Sequence, residues 1–487
     1  MTPFPAVAIV SVTFNRCEPL LVLLAQLRTL DYPSERIAIF LVDNASADDT
    51  AARVGREFPE VRLTVTGENL GTSAGFNLGM IEALADASAF EYIWLLDSDA
   101  EVEPGTLRPL VNAMDGDGRI GIVGSTIYDP SDRERLVTAG LRMDWNKGAV
   151  GLNKAPADQG GLVDADLIPA CSLLVRTSLC REIGLWDERF WVYWGDTDWC
   201  QRTLRRGYRV CAHTKSRAWH RDWANTARSF QAPSALYDDL RGALLFNVRH
   251  APQGSLRGVR RLVLKSYAKA ALEHLTTRPF FGKAVNDAVD DFLHGRFARK
   301  RYDPGYRLSE PVALEDLCRR LAAELPAQPR ILIAEIEDPR LVKRIKDAFA
   351  RCCTGIRWQE IAPRYRERRD DFTIDYRGFL RHDLPQLFAR LVRTRADVVI
   401  ADIALPHLYT LAAGRRGILL ERNGQAIAVK NQVGRGLMNV VTTLLRGIVV
   451  ACRDLPGALG GDPSLRAAVT GDHPLPGSRP DALVRTP

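Results

Sequence analysis

The first hundred residues switch repeatedly between two hydrophobic periods. Residues 7–14, VAIVSVTF, form a β-rich apolar run, and residues 19–30 place Leu20, Leu23, Leu24 and Leu27 on one helical face. Residues 37–42, IAIFLV, are a second buried run that ends at Asp43. Asp48 and Asp49 suit the start of a helix reaching about Phe58, because carboxylates favour the positive end of the helix dipole. Residues 61–66, VRLTVT, alternate; a Gly/Asn loop, a helix near 75–86 and EYIWLLD at 91–97 follow. Such strand–helix alternation predicts an α/β fold with a mainly parallel sheet and helices on its faces. Ligands in these sheets collect beyond the carboxyl ends of the strands. Thr13, Asn15, Asp43, Asn44, Asn69, Asp97 and Asp99 all fall there.

Further along, residues 255–275 put Leu256, Val259, Leu262, Val263 and Tyr267 on one helical stripe, with Arg257, Arg260, Arg261, Lys265 and Lys269 over much of the rest. Residues 304–328 read as a connector. A second α/β pattern follows: RILIAEI at 330–336, a helix to about Ala350, IRWQEI at 356–361, a helix near 377–393 and DVVIADI at 397–403. ILLERNGQAIAVK reads as a hairpin turning at Asn423-Gly424. LMNVVTTLLRGIVVACR reads as a final buried or interfacial helix, and residues 455–487, rich in Pro and Gly, as a disordered tail. The domains expected are 1–250, 251–303, 304–454 and 455–487.

The chain has 487 residues, 46% hydrophobic and 26% charged, which excludes collagen-like, disulfide-scaffold and wholly disordered classes. Nine cysteines without a C-x-x-C pair read as reduced thiols, among them Cys17, Cys171 and Cys200. No window holds 18 uncharged apolar residues, and Met1 to Ala6 carries no basic n-region or cleavage site, so a cytoplasmic location is expected. The net charge of +7 is local: residues 255–301 hold eleven Lys/Arg against four Asp/Glu. That belt fits an anionic membrane surface, or a solvated helix packed on the preceding domain. Nucleic acid is not expected, since no aromatic-basic interleaving accompanies the charge.

The glycines exclude two phosphate sites. Gly67, Gly71 and Gly75 are spaced four apart rather than as G-x-G-x-x-G, and no G-K-[ST] follows a strand. The sharpest local feature is Asp97-Ser98-Asp99 after Trp94-Leu95-Leu96. Two carboxylates two residues apart share one side of an extended segment, where together they could hold a hard divalent cation against a diphosphate. The bland reading is a solvated turn. The second cluster spans 186–223, where Asp196 and Asp198 stand among Trp191, Tyr193, Trp194, Trp199 and Tyr208. Aromatic neighbours desolvate a carboxylate and raise it toward general-base duty. The bland reading makes Asp196 or Asp198 a helix N-cap. His220 and Trp223 close the cluster.

Together these segments resemble a family 2 glycosyltransferase of the GT-A fold over about residues 7–300. The matching pieces are SVTFNR at 11–16, LVDNASADDT at 41–50, ENLGTSAGFNLGM at 68–80, LLDSDAEV at 95–102, the aspartates at 195–198 and the His220 segment. AVDDFLHGR at 288–296 resembles the C-terminal helix of bacterial rhamnosyl- and galactofuranosyltransferases. The resemblance implies a mixed, mainly parallel sheet flanked by helices, a helical extension and a second, smaller α/β domain. It implies donor contacts at Thr13, Asn15, Asp43, Asn69 and Asp97, a Mg or Mn ion at Asp97, Asp99 and His220, and Asp196 as catalytic base. It assigns Trp194, Asp198 and Trp223 to the acceptor. The activity implied is inverting transfer of a sugar from dTDP-rhamnose or UDP-galactofuranose to a glycan or polyprenyl-linked glycan, in cell-envelope polysaccharide synthesis. The enzyme would sit in the cytoplasm, peripheral on the inner face of the plasma membrane, and oligomers are compatible with this.

Two departures stand out. Gly195 takes the place of a carboxylate that many members carry before Asp196, and Arg241-Gly242 replaces the common R-N pair. Both bear on the acceptor. Two other function classes stay in view. A nucleotidyltransferase of related fold would want a Gly-rich phosphate loop after the first strand, and SVTFNRCEP has none. A non-catalytic nucleotide- or glycan-binding protein would have little reason to keep Asp97, Asp99, Asp196 and His220 together.

Overall fold

The structure is a computed structural model that describes residues 4–153, 161–220, 233–252, 256–273, 280–297, 312–334, 336, 339–361, 396–402, 414–420, 425–430 and 433–461. The chain divides into two compact units. The first comprises Met1–Leu262, Asp287–Tyr302 and Cys452–Pro487; the second comprises Val263–Asn286 and Asp303–Ala451.

The first unit opens as the hydrophobic pattern predicts. Strand β1 (Val7–Thr13) is followed by α1 (Cys17–Leu27), β2 (Ile37–Asp43), α2 (Thr50–Glu57), β3 (Arg62–Val65), α3 (Gly71–Ala85) and β4 (Tyr92–Asp97). β5 (Ala100–Val102), α4 (Leu107–Gly116), β6 (Ile120–Asp129), β7 (Asp132–Thr138), β8 (Leu141–Asp144), β9 (Ala149–Leu152) and β10 (Leu162–Asp164) come next. β11 (Leu173–Arg176), α5 (Thr177–Ile183), α6 (Gly195–Arg205), β12 (Arg209–His220) and α7 (Pro233–His250) complete the sequence.

One sheet runs in the order β10-β12-β6-β11-β4-β1-β2-β3, with β5 on β12 and β7 on β6. The β4-β1-β2-β3 side is parallel, while β11 is antiparallel to both β4 and β6. The sheet is therefore mixed, as the GT-A expectation required. Alternating side chains of β1 and β4 feed two cores. Val7, Ile9, Trp94 and Leu96 pack with α1 and α4 on one face; Ala8, Val10, Ile93 and Leu95 pack with Phe76 and Met80 of α3 on the other. A strand covered on both faces reads as a continuous apolar run, which is why VAIVSV shows no polar alternation.

The glycine-rich segment is explained by packing. α3 begins at Gly71, four residues before the expected start. A Cβ on Gly75 would lie 2.8 Å from Val12 Cγ1, and one on Gly79 would lie 2.5 Å from Val10 Cγ1. The glycines recur one helical turn apart so that α3 can lie against the sheet, and phosphate cradling is not what spaces them.

α6 is tied to α7 by buried charge. Asp198 is fully buried; its Oδ2 accepts from Arg202 Nε at 2.8 Å, and its Oδ1 meets Arg249 at 3.0 Å and His250 Nε2 at 2.7 Å. Arg249 also reaches Asp187 at 3.0 Å. Asp198 does not cap α6, whose N-cap is Trp194. Burial pushes the Asp198 carboxyl up, but Arg202, His250 and Arg249 outweigh it and hold the group well below the usual carboxylate range. Burial pulls His250 down despite that carboxylate.

The second unit holds a six-stranded sheet in the order β13-β18-β17-β16-β14-β15. The strands are β13 (Val312–Ala313), β14 (Arg330–Ala334), β15 (Arg357–Ile361), β16 (Ala396–Asp402), β17 (Gly414–Leu420) and β18 (Gln425–Lys430). β15, β14, β16 and β17 are parallel neighbours; β18 returns antiparallel. This is the second α/β fold expected. The supposed connector at 304–328 instead contains β13 and an amphipathic helix, Leu314–Ala322, whose Leu314, Leu317 and Cys318 are buried. The hairpin is present as β17–β18, while Asn423-Gly424 lies outside the described residues, as does the helix expected near 377–393. Leu455–Gly461 is helical, so that stretch of the expected disordered tail is ordered; 462–487 lie outside the described residues.

Removing one partner from a buried ion pair typically costs about 3–5 kcal/mol. Asp198→Asn should therefore lower the melting temperature at neutral pH. A carboxyl whose folded value is depressed stabilises above its unfolded pKa of about 3.9 and loses that stability as pH falls through the folded value. Thermal melts across acid pH should show the wild type losing more stability than Asp198→Asn. Parallel curves would remove Asp198 from this role.

Candidate functional site

β4 delivers Asp97 at its last position, and a two-residue turn through Ser98 and Asp99 leads into β5. The expected extended segment is thus a turn, yet both carboxylates meet on one side. The reason is the β5–β12 ladder, which sets His220 opposite Ala100, the residue after Asp99. His220 Nε2 lies 3.2 Å from Asp97 Oδ2 and 3.3 Å from Asp99 Oδ1. Burial pulls the imidazole down, but the two carboxylates override it and raise it to about 10. Asp99 is itself nearly buried and pairs with Arg16 as well. Burial raises its pKa, His220 and Arg16 lower it, and the net shift is downward.

A divalent cation fits this group. One ligand atom from each of Asp97, Asp99 and His220 lies within 4.8 Å of the others, and among the described residues this is the only such set of three. Both ring nitrogens of His220 are buried without a properly angled hydrogen-bond partner. A proton shared with two carboxylates is what a cation would replace.

Asp196 occupies the second position of α6. Its Oδ2 accepts from Ala170 N at 3.1 Å and its Oδ1 from Thr197 N at 2.7 Å. Residue 196 as a whole keeps partial solvent contact, while protein atoms crowd its carboxyl. Burial raises its pKa; the two backbone donors oppose that, and Asp97 adds to it. The Asp97 contribution places Asp196 within electrostatic reach of the cation group.

The residues expected to hold the donor sit at or after the carboxyl ends of β1, β2, β3 and β4. Thr13 and Ser11 are buried with hydroxyls that find no partner, whereas Asp43 Oδ1 accepts from Ser46 N at 2.9 Å. Asn15, at φ 53°, accepts from Ala47 N at 2.7 Å. Asn69 Oδ1 is occupied by Gly71 N at 2.8 Å and Asn44 Nδ2 at 3.1 Å. Asn69 therefore shapes the loop. Asn44 does more than its place at a strand end suggested: it also takes Leu70 N at 2.8 Å and gives to Gly71 O at 3.0 Å. Arg16, inside SVTFNR, has no signal in the sequence that ties it to the site; only the fold brings it to Asp99.

Tyr193 and Trp194 are left-handed, at φ 65° and 64°, a conformation that side chains with a Cβ rarely adopt. Asn77 fixes the chain just upstream, giving to Trp186 O and accepting from Trp186 N, both at 2.9 Å. Trp194 Nε1 donates to Asp239 at 2.9 Å, and its ring packs on Phe246. Asp198, expected among the acceptor contacts, is buried among Arg202, Arg249 and His250. Trp223 lies outside the described residues.

Residues 8–181 match the family Glycosyl transferase family 2. This part of the chain is a family 2 glycosyltransferase domain. The chain is 26% identical over 206 residues to an N-acetylglucosaminyl-diphospho-decaprenol L-rhamnosyltransferase of Mycobacterium tuberculosis (strain CDC 1551 / Oshkosh), covering 37% of this chain and 66% of that one. It is 27% identical over 194 residues to the galactofuranosyltransferase GlfT1 of the same strain, covering 38% of this chain and 59% of that one. Either way the chain spans less than two thirds of the relative's length. Among solved structures, GalNAc-T7 with UDP, GalNAc and Mn2+ aligns at TM-score 0.40 and 14% identity, covering 56% of this chain and 51% of that one.

Both departures from the glycosyltransferase pattern have a steric cause. A Cβ on Gly195 would fall 2.7 Å from Ser73 Oγ and 2.7 Å from the Trp186 ring. One on Gly242 would fall 2.9 Å from Trp194 Cδ1. This domain uses those two spaces for indole rings. Gly195→Glu, which restores the common carboxylate, should therefore lower the melting temperature and not raise turnover; an active, equally stable variant would refute the packing argument. Separately, His220→Ala should weaken manganese binding at least tenfold by calorimetry without donor, with the fold retained by circular dichroism. Unchanged affinity would remove His220 from the cation group.

Proposed function

We propose that the chain is an inverting, metal-dependent glycosyltransferase that takes a sugar from a nucleotide-sugar donor of the dTDP-rhamnose or UDP-galactofuranose type. The observation that carries this reading is the convergence of Asp97, Asp99 and His220 at one strand-end cluster, with Asp196 inside the field of Asp97. The donor nucleoside would rest beyond β1 and β2, where the partnerless hydroxyl of Thr13 and the side chains of Asn15 and Asp43 meet it. A magnesium or manganese ion at Asp97, Asp99 and His220 would supply charge neutralisation for the departing diphosphate. Arg16, paired with Asp99, adds a fixed cation at the same end of the sheet.

Asp196 takes the proton of the acceptor hydroxyl as that oxygen attacks the anomeric carbon and the bond to the diphosphate breaks. Inversion needs one carboxylate on the acceptor side, and Gly195 supplies no second. Burial keeps Asp196 more basic than an exposed aspartate, which suits a base working near neutral pH. The acceptor we propose is a glycan carried on a polyprenyl diphosphate; the rhamnosyltransferase relative is named for an N-acetylglucosaminyl-diphospho-decaprenol acceptor. Trp194 and Trp223 are the aromatic faces proposed for its sugar rings.

Asp196→Asn keeps the shape and removes the basicity. Turnover should fall by roughly 10²–10⁴-fold while donor affinity holds. Since the folded pKa of Asp196 is raised, the acid limb of kcat/KM should lie above the ordinary aspartate value of about 3.9, with rate rising as pH climbs through it. A panel of sugar nucleotides with a polyprenyl-linked acceptor checks both. Undiminished transfer by Asp196→Asn would overturn the assignment.

A further inference from the structure

A second indole of the first unit has no part in the chemistry above. Trp145 sits in the turn between β8 and β9, next to Asp144 at the end of β8. Its ring stacks on Phe246 of α7, with centroids 5.7 Å apart and planes 8° from parallel. Phe246 is fully buried and carries Trp194 as well, at 5.1 Å and a tilt of 38°. Trp145 and Trp194 each keep part of their surface in solvent. One hidden phenyl ring thus joins two partly open indoles, and Trp194 stands two residues before Asp196.

The backbone is shaped to hold both indoles. Tyr193 and Trp194 are left-handed immediately before α6, and strain of that kind gathers at ligand sites. Gly242 leaves room for the Trp194 ring, as described above. At the other indole, Gly148 is left-handed at φ 62°, and a Cβ on Gly258, in α8 (Arg257–Glu273), would run into the Trp145 carbonyl oxygen. Both helices pin the turn: Asn247 Nδ2 of α7 gives to Gly148 O at 3.2 Å, and Arg261 Nη1 of α8 gives to Asn146 O at 3.3 Å. The foot of the hairpin is fixed to the helix that carries Asp196. Asp166 N gives to Leu141 O at 2.9 Å, and Asp166 Oδ2 accepts from Met143 N at 2.8 Å. The Asp166 carbonyl oxygen accepts from Gln201 Nε2 of α6, also at 2.8 Å. Four residues on, Ala170 N holds Asp196 Oδ2. Trp145 is therefore placed relative to Asp196 by two routes, one through Phe246 and Trp194 and one through Asp166 and α6.

A ring that only braced the hairpin would gain most by being buried, as Phe246 is. Trp145 instead offers a rigid, flat, apolar surface with an open side, which suits the C–H face of a sugar ring. We propose that Trp145 forms an acceptor subsite one sugar away from the reacting one. The sugar whose hydroxyl Asp196 deprotonates lies on Trp194, and its neighbour lies on Trp145. The inference rests on the glycosyltransferase reading above and narrows its acceptor to glycans of at least two sugar units. A flat apolar face carries few directional groups, so Trp145 selects by acceptor length rather than by sugar identity.

The test labels the full chain with 5-fluorotryptophan and identifies the Trp145 resonance by its loss in Trp145→Phe. The probes are methyl glycosides of rhamnose, galactofuranose and N-acetylglucosamine, and disaccharide methyl glycosides built from the same three sugars; none carries a lipid. Disaccharides should shift the Trp145 resonance, and monosaccharides only that of Trp194. With donor and manganese added, Trp145→Ala should raise KM about tenfold more for disaccharides than for monosaccharides, with the loss in KM and not in kcat. Trp145→Phe should recover most of that loss. A ring that served packing alone would lower the melting temperature and affect both acceptor lengths alike. A Trp145 resonance that no disaccharide moves, or equal losses by Trp145→Ala on one- and two-sugar acceptors, would overturn the proposal. Manganese-dependent nucleotide binding by the wild type separates the two failures: retained, the subsite alone falls; absent, the glycosyltransferase reading falls with it.

Discussion

The short antiparallel ladder between β5 and β12 is the constraint on which the site depends. It sets His220 across from Ala100 and so brings an imidazole onto two carboxylates that arrive from another direction, at the end of β4. Two carboxylates alone at a nearly buried turn would repel, and one would protonate. With His220 between them and Arg16 on the far side of Asp99, the negative charge is tolerated where water is scarce. A divalent cation bound here would take over the balancing role that the proton on His220 otherwise fills. The mixed sheet matters for the same reason: β12 runs parallel to β6 and its last residues also pair with β5, which carries a residue so distant in sequence to the Asp97–Asp99 turn.

A second constraint shapes the start of α6. Indole rings, rather than charged groups, fill the space around Gly195 and Gly242, and the chain passes through two left-handed residues before α6 begins. The buried Asp198 cluster locks α6 onto α7 just behind Asp196. A fixed helix holds the Asp196 carboxylate in register with the strand-end cluster, which is what the proposed single displacement would ask of its base.

Much of this was readable from the residues. The buried strands of the first unit declared themselves by apolar runs, because strands covered on both faces have no polar alternation to blur them. Asp97 and Asp99 stand out in the sequence by their place after an apolar strand, and Asp196 by its aromatic neighbours. What was not legible depends on contacts distant in sequence. Asn44 looks like any polar residue after a strand until Leu70 and Gly71 fold back on it. Asp198 is set apart from Asp196 by Arg202, four residues on, and by Arg249 and His250, some fifty residues later. The start of α3 was placed late because glycines that read locally as a loop are, in the fold, the side of a helix pressed on Val10 and Val12. The helix at Leu314–Ala322 was absorbed into a connector, although Leu314, Leu317 and Cys318 carry its period.

The central claim is that Asp97, Asp99 and His220 form one cation site at the donor's diphosphate. Crystals grown with manganese and a nucleoside diphosphate, with diffraction measured on both sides of the manganese absorption edge, address it directly. The account predicts an anomalous peak bounded by those three side chains and by the diphosphate oxygens. An ordered nucleotide beyond β1 and β2 with no anomalous peak at His220, or with the peak held by other residues, would contradict it.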